Sequence, residues 1–307
     1  MAVGPSSRVP GKTMVHREQR FADQEIDMTS NPLEYSVFIA EPIPQNTTER
    51  VPNGDRRMFS PLSITMISGQ TDAVLVDPPL TIDQAEAVGQ WVASTGKNLT
   101  HIVATHGHGD HWFTANVLAE RFHSHVVAAA GTITQMHRNV AMRPGFWDRL
   151  FPDQIPDTPV TAITPPGNRL TLEGHDLHIV EVGHSDTDDT SVVHVPDLQL
   201  VVAGDVIYNG VHQYLVESAD GGRDAWRKAI DLVEKLHPRW IVAGHKNKEL
   251  DDDAVRTIAA TRGYLDTVDA LVPEHDTALS FFRAMLERYP QLLNPGALWG
   301  GAQALYK

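Results

Sequence analysis

The segment His106-Gly107-His108-Gly109-Asp110-His111 places three imidazoles and one carboxylate directly after the apolar run IVAT. Two histidines that are one residue apart in an extended chain point to the same side, so His106 and His108 can bind one metal ion. Asp110 and His111 follow a glycine turn, where the chain changes direction and both can face a second ion. The pattern therefore predicts a metal site built from histidine and carboxylate ligands.

Further candidate ligands end apolar runs downstream, each directly after a glycine. Asp205 ends VVAGD, His245 ends IVAGH and His184 ends EVGH. A small residue before the ligand leaves room for a metal ion at the strand end, and strand ends project from a sheet into a common crevice. The complete set can hold two ions, divided as follows: His106, His108 and His184 on one, Asp110, His111 and His245 on the other, and Asp205 bridging them.

The composition excludes several kinds of site and partner. The chain has 307 residues, 16 histidines and no cysteine, which excludes disulfide frameworks, thiolate nucleophiles and cysteine-bound clusters. Lys and Arg number 25 against 39 Asp and Glu, so the net charge of −14 disfavours nucleic acid and anionic membranes as partners. The apolar runs are far shorter than the roughly 20 residues of a membrane span, and the N-terminus has no secretory signal core. We expect a cytoplasmic protein with a small-molecule partner.

Alternating strand and helix patterns predict the strands at whose ends the candidate ligands lie. SITMIS, the turn GQTD and AVLVD predict a hairpin that ends at Asp77, and the chain becomes strand-rich from Arg169 onward. Apolar residues at helical spacing predict four helices, over residues 82–92, 114–122, 226–236 and 255–272. This mixture predicts an α/β fold in which sheets pack on each other and helices lie outside.

We expect a polar arm over residues 1–30 and a single domain over 31–307. Residues 143–166 carry six prolines and several aromatic residues, and we expect them to form a lid. The aromatic residues expected to line a hydrophobic substrate pocket are Trp112, Phe146, Trp147 and Phe151; ordinary core packing is the alternative. The C-terminal extension 274–307 ends in an apolar segment that suits packing either on the domain or on a second subunit in a homo-oligomer.

The HxHxDH segment, followed by a later His, Asp and His in that order, resembles the metallo-β-lactamase fold superfamily of hydrolases. The resemblance covers about residues 60–250. It implies an αβ/βα four-layer sandwich with a dinuclear site at one edge of the two sheets. The implied cofactors are two divalent metal ions, zinc first, with manganese or iron as alternatives. Asp77, at the end of VLVD, would orient the ligands.

Local residues favour one branch of this superfamily. Gly107 stands where diiron flavoproteins usually have Glu, and Asp205 together with the missing cysteine argues against the β-lactamases. The run Asp205-Val206-Ile207-Tyr208 resembles the N-acyl-homoserine lactonases, in which a tyrosine over the metals hydrogen-bonds the substrate carbonyl.

The expected function is therefore the opening of a lactone or related ester by a metal-bridging hydroxide. Asp110 would carry a proton to the leaving group, and Tyr208 would stabilise the oxyanion. The alternatives are a glyoxalase II-like thioesterase and a metal-binding member of the fold without catalytic activity.

Overall fold

The computed structural model describes Met1, residues 32–159 and residues 162–307. The segment 1–30, which we expect to be a polar arm, lies outside these residues apart from Met1. Residues 31–307 are grouped together by their contacts, and the elements below all belong to this unit.

The strands of the described residues form two five-stranded sheets and one two-stranded pair. In chain order they are β1 (Glu34–Ala40), β2 (Leu62–Ser68), β3 (Asp72–Val76), β4 (Asn98–Val103), β5 (His125–Val127), β6 (Arg169–Leu172), β7 (His175–Gly183), β8 (Thr190–Val195), β9 (Leu200–Val202), β10 (Tyr208–Asn209), β11 (Trp240–Val242) and β12 (His245–Lys246). The α-helices are α1 (Ile82–Ser94), α2 (Ala115–Phe122), α3 (Ala130–Met142), α4 (Trp147–Leu150), α5 (Gly222–Glu234), α6 (Ala254–Leu271), α7 (Ala278–Arg288) and α8 (Pro295–Leu305).

The first sheet has the order β1-β2-β3-β4-β5. Strands β1, β2 and β3 are antiparallel neighbours, whereas β3, β4 and β5 run parallel. The predicted hairpin is present as β2 and β3. Because α1 and α2 connect the parallel strands, the carboxyl ends of β3 and β4 meet at the same edge of the sheet.

The second sheet has the order β11-β9-β8-β7-β6. Strands β6 to β9 are antiparallel neighbours in sequence order. Strand β11 is parallel to β9 and is reached through α5. The carboxyl ends of β9 and β11 therefore also share one edge.

The two sheets pack face to face across an aliphatic core. Ile67 and Val103 of the first sheet and Ile179 and Val202 of the second are buried in it. Helices α1, α2 and α3 cover the outer face of the first sheet, and α5 to α8 cover that of the second. These layers confirm the predicted αβ/βα four-layer sandwich. None of the helices in residues 32–159 and 162–307 combines the length and apolar character that a bilayer span requires.

A buried arginine links parts of residues 143–159 to each other, and Trp147 and Phe151 attach this segment to the core cluster beside the first sheet. The Arg143 guanidinium donates to Asp148 at 2.9 and 3.1 Å and to the carbonyl oxygen of Pro156 at 2.6 Å. The short helix α4 lies within this segment, so the part of the expected lid that is described is folded against the core.

The C-terminal extension forms α7 and α8, which the sequence patterns did not predict. Phe282 of α7 and Leu298 of α8 are buried in the same core cluster as Leu265 of α6. The extension therefore packs on the domain.

The carboxylate of Glu173 connects turns of the two sheets. It accepts hydrogen bonds from the backbone N–H groups of Gln70, Thr71 and Asp72 at 2.7, 2.7 and 2.8 Å. Glu173 lies between β6 and β7, whereas Gln70 and Thr71 lie between β2 and β3 and Asp72 is the first residue of β3. The hydrogen bonds, first from Asp72 and then from Thr71, lower the pKa of Glu173 from 4.5 to about 2.

We expect Glu173→Gln to destabilise the fold at neutral pH and to have little effect near pH 2. Because the folded-state pKa is depressed, the ionised carboxylate stabilises the fold above the unfolded pKa of about 4.3, and this contribution is lost as the pH falls towards 2. Urea unfolding of both proteins across this pH range measures the difference, with exposed Glu287→Gln as the control. A difference in unfolding free energy that does not change with pH would contradict the prediction.

Candidate metal centre

Three strand ends bring candidate ligands to one edge of the sandwich. His106 follows β4, Asp205 follows β9 and His245 follows β11, and all three side chains are buried. The apolar run before each of these residues was predicted to be a strand, and the structure has a strand there. A Cβ atom on Gly244 would lie 2.2 Å from Oδ1 of Asp205, so glycine is required for this close approach.

The HGHGDH segment bends at a short 3₁₀ turn, Gly109–His111. The turn brings the ring of His111 to 4.2 Å from that of His106, between centroids, and the ring of His108 lies 5.1 Å from that of His106. The predicted change of direction after Gly109 is therefore present.

Asp110, His111 and His245 form one group whose ligand atoms all lie within 4.8 Å of one another. Oδ2 of Asp110 is 3.3 Å from Nε2 of His111 and 3.5 Å from Nε2 of His245. Asp205 lies beside this group: its Oδ1 is 3.4 Å from Nε2 of His111 and its Oδ2 is 3.1 Å from Nε2 of His245. His106, His111 and Asp205 form a second such group, which places Asp205 between the two sets of ligands.

The third group consists of His106, His108 and Asp186. Nδ1 of His108 is 2.9 Å from Oδ2 of Asp186. His184, which we expected here, belongs to none of the three groups found among the described residues, and its Nδ1 is instead 2.7 Å from Oδ1 of Asp188. Asp186 lies in a turn, away from the glycine-ligand pattern that singled out the other residues.

Each histidine of the three groups directs its second ring nitrogen to an oxygen outside the groups. The pairs are His106 Nδ1 with Thr105 Oγ1 at 3.0 Å, His108 Nε2 with Glu217 Oε1 at 3.0 Å, His111 Nδ1 with Asp77 Oδ2 at 3.1 Å and His245 Nδ1 with the Pro61 carbonyl oxygen at 2.8 Å. Carbonyl and carboxylate oxygens only accept, so the outer nitrogen of His245 and of His108 carries a proton. Nδ1 of His111 is close to Asp77 but has no hydrogen-bond partner of suitable geometry among the described residues. When a metal ion takes the place of the second proton of such a ring, the inner nitrogen offers its lone pair to the ion.

Asp77 supports this arrangement from the end of β3. Its Oδ1 and Oδ2 accept hydrogen bonds from the backbone N–H and the hydroxyl of Thr105, both at 2.8 Å. Since the Thr105 hydroxyl donates to Asp77, it accepts from Nδ1 of His106, which leaves Nε2 of His106 unprotonated. Asp77 thus holds His106 through Thr105, and its Oδ2 lies 3.1 Å from Nδ1 of His111.

Several inner atoms are buried without a hydrogen-bond partner in the described part of the chain. They are His106 Nε2, His111 Nε2, His184 Nε2, Asp186 Oδ2 and Asp205 Oδ1. Burial of unpaired polar atoms is costly, and bound divalent cations would pair with such atoms. The residues therefore fit a metal centre with two positions.

The charges of the site also favour a bound cation. Burial tends to lower the pKa of His111, but the carboxylates of Asp110, Asp205 and Asp77 outweigh it and raise this pKa well above the usual range. Burial tends to raise the pKa of Asp110, but His111 and His245 bring it to about 2. Asp110 is therefore anionic at neutral pH and, with its neighbours, favours positive charge in the centre.

Tyr208 lies beside the centre, as expected. Its hydroxyl donates to Oδ2 of Asp205 at 2.7 Å, and its ring centroid is 5.6 Å from that of His245. Burial, and then the charge of Asp205, raises the pKa of Tyr208 well above the usual range. The hydroxyl remains a donor across the physiological pH range.

The aromatic residues expected to line the pocket pack mainly in the core. Trp112, Trp147 and Phe151 are buried, whereas Phe146 is 38% exposed. Phe59, which the sequence patterns did not single out, connects this cluster to the site. Its ring centroid is 5.4 Å from that of Phe151 and 6.3 Å from that of the ligand candidate His245.

The open side of the centre lies at His108, whose side chain is 12% exposed. The ring of Tyr214 lies 5.5 Å from that of His108, edge to face. Glu217, 43% exposed, accepts a hydrogen bond from the hydroxyl of Thr187 at 2.8 Å. Residues 210–221, between β10 and α5, therefore border the entrance, a role for which we find no signal in the sequence.

The fold and this site together define a sandwich protein with a candidate paired-metal centre at the sheet edge. A profile of the metallo-beta-lactamase superfamily matches residues 59–245, more than half of the chain. The chain belongs to the metallo-beta-lactamase superfamily. No curated protein matches it in sequence.

Solved structures with this fold have low sequence identity to the chain. A metallo-beta-lactamase family protein from Thermus thermophilus has a TM-score of 0.60 and 16% identity, covering 88% of this chain and 91% of its own. A beta-lactamase domain protein from Burkholderia ambifaria has a TM-score of 0.59 and 15% identity, covering 88% and 84%. A metallo-beta-lactamase from Pontibacter korlensis has a TM-score of 0.56 and 19% identity, covering 76% and 99%. These similarities establish the fold alone.

We expect Asp77→Asn to weaken metal binding about 10- to 100-fold, the usual effect of losing an outer partner of a ligand. Asparagine suits the left-handed backbone at this position, φ 57°, but its amide nitrogen cannot accept a hydrogen bond from Thr105. Calorimetric titration of metal-free protein with Zn²⁺ and Mn²⁺ measures the affinity, with exposed Asp83→Asn as the control. Equal affinities in the wild type and Asp77→Asn would show that Asp77 does not orient the ligands.

Proposed function

We propose that this protein is a dinuclear metal-dependent hydrolase that opens a lactone or a related ester. Members of the superfamily are mostly metal-dependent hydrolases. The observation that carries the proposal is the set of four histidines, three of them buried, each with an oxygen beside its outer nitrogen and with inner nitrogens that converge on carboxylates. Without a cation, Nε2 of His106 and Nε2 of His111 are buried and unpaired, which is costly.

Asp110, His111 and His245 would hold one ion, His106 and His108 would hold the other, and Asp205 would lie between them. When bound, two divalent ions supply Lewis acidity, which polarises a carbonyl oxygen and makes hydroxide available near neutral pH. A side-chain nucleophile is then unnecessary, in agreement with a chain that has no cysteine.

We assign proton transfer to Asp110. Its Oδ2 faces both Nε2 of His111 and Nε2 of His245, so the carboxylate lies among the ligands. With a pKa of about 2, it is ionised at neutral pH and has lone pairs that can accept the proton of an attacking water. It would then deliver this proton from the same oxygen to the alkoxide that leaves as the ring opens.

We assign to Tyr208 the stabilisation of the developing oxyanion. Its hydroxyl has a single proton, which it donates to Asp205. A substrate carbonyl oxygen that enters beside Asp205 would accept the hydrogen bond from the Tyr208 hydroxyl in place of Asp205. A hydrogen-bond donor placed where negative charge develops lowers the activation free energy, because the site does not have to reorganise during the reaction.

The surroundings favour an uncharged and fairly hydrophobic substrate. Phe59 and Tyr214 contact rings of the site, and the carboxylates of Glu217 and Asp188 lie near its open side. Acidic groups at an entrance repel anions. This observation favours a neutral lactone over the negatively charged glutathione thioesters of glyoxalase II-like enzymes.

The test is turnover of a panel of lactones and a panel of thioesters by protein of measured metal content. We expect ring opening of lactones, and we expect His106→Ala and Asp110→Ala to lose both turnover and bound metal. Exposed His137→Ala is the control and should retain both. Metal-loaded protein that cleaves only thioesters would replace the proposal by the thioesterase, and loaded protein that cleaves neither panel would support a non-catalytic metal-binding role.

Tyr208→Phe should lower kcat by on the order of ten- to a thousandfold, the range for loss of one oxyanion donor, while the metal content stays unchanged. Tyr306→Phe is the matched control, since the Tyr306 hydroxyl donates to the distant carbonyl of Val272. An unchanged kcat in Tyr208→Phe would remove this residue from the catalytic machinery.

A further inference from the structure

Two tyrosines border the candidate metal centre, one at each metal position. The ring of Tyr208 lies 5.6 Å from that of His245, between centroids. The ring of Tyr214 lies edge to face with that of His108, 5.5 Å away. His108 and His245 belong to different groups of candidate ligands. A phenol therefore stands beside each of the two positions, and only Tyr208 has a role in the reaction proposed above.

The hydroxyls of these two tyrosines differ in their hydrogen bonds. The Tyr208 hydroxyl donates its single proton to Oδ2 of Asp205 at 2.7 Å and accepts a hydrogen bond from the backbone N–H of Tyr214. The Tyr214 hydroxyl itself forms no hydrogen bond with any residue in the ranges 32–159 and 162–307. The protein thus presents one unused phenol donor beside the centre.

The Tyr214 hydroxyl faces the centre from its open side. The side chain of Tyr214 is only partly buried. Burial, and then the carboxylates of Glu217, Asp186 and Asp110, raises the pKa of Tyr214 above its usual range. Charges have this effect only when they lie near the titrating group, and Asp110 and Asp186 both belong to the groups of candidate ligands. The hydroxyl therefore lies close to the place where a substrate would meet the ions.

The residues before Tyr214 anchor it to helix α6. Both His212 and Gln213 are buried. Nδ1 of His212 lies 3.0 Å from the hydroxyl of Tyr264, and the side-chain amide of Gln213 donates to the carbonyl oxygen of Thr261 at 3.1 Å. The backbone at Tyr214 is therefore held from α6 as well as by the hydroxyl of Tyr208. A donor that is fixed before the ligand arrives loses little entropy on binding.

We propose that Tyr214 is a substrate-binding residue, whose hydroxyl donates a hydrogen bond to a second acceptor oxygen of the substrate, outside the bond that is hydrolysed. This inference rests on the hydrolase function proposed above and narrows its substrate class. Tyr208 is assigned to the reacting carbonyl, so the donor beside His108 is left for another polar group. A lactone with a carbonyl oxygen in its side chain supplies that acceptor. A lactone without one would cover the Tyr214 hydroxyl and leave it unpaired, which disfavours its binding.

The test is the preference of the metal-loaded protein for α-acetyl-γ-butyrolactone over γ-butyrolactone, measured as the ratio of the two kcat/KM values. These lactones differ by one side-chain acetyl group, and comparison of two proteins on the same pair cancels their difference in intrinsic reactivity. We expect Tyr214→Phe to lower this preference on the order of tenfold, the effect of losing one hydrogen bond between neutral groups. Phenylalanine keeps the aromatic ring beside His108, so elemental analysis should show unchanged bound metal.

Tyr306→Phe is the control, and its preference should equal that of the wild type. An unchanged preference in Tyr214→Phe, whether both lactones react more slowly or neither does, would overturn the assignment of Tyr214. Loss of bound metal in this variant would overturn it too, because Tyr214 would then support His108 and not the substrate. These outcomes leave the hydrolase proposal intact, whereas a wild type that opens no lactone at all would remove both.

Discussion

The oxygen that holds the outer nitrogen of each site histidine is the constraint on which the rest of the centre depends. A histidine placed at a strand end has two equivalent ways to carry its proton, and only one of them presents a lone pair inward. The carbonyl of Pro61 and the carboxylate of Glu217 accept from the outer nitrogens of His245 and His108, and the carboxylate of Asp77 lies 3.1 Å from the outer nitrogen of His111. In the proposed metal centre, groups outside the ligand set would therefore orient the ligands.

Features that repeat along the chain were predictable from the sequence. The hairpin of β2 and β3, helix α1 and the strands that precede His106, Asp205 and His245 all show apolar periodicity or a buried apolar run, and the structure contains each of them. The ligands at these strand ends were predictable because a glycine precedes Asp205 and His245 where the backbone approaches the site. Local chain geometry determines such positions, and the sequence records it directly.

Features set by contacts between distant parts of the chain were not predictable in this way. Asp186 lies in a turn whose hydrogen bonds orient its side chain, and no periodic pattern distinguishes it from the acidic residues around it. Phe59 and Glu217 reach the site from loops. Helix α8 is held by burial of Leu298 in a core made by other helices, and its glycines weaken any helical signal. In each case tertiary packing determines the outcome.

The acidic side chains of Glu217 and Asp188 would affect the order of events in the proposed reaction. Opening of a neutral lactone would produce a carboxylate, so the charge of the bound ligand would change from zero to minus one. These acidic groups would then repel the product but not the substrate. Departure would be favoured over rebinding, and this advantage would shrink with added salt, because the Debye length falls from about 10 Å at 0.1 M to about 3 Å at 1 M.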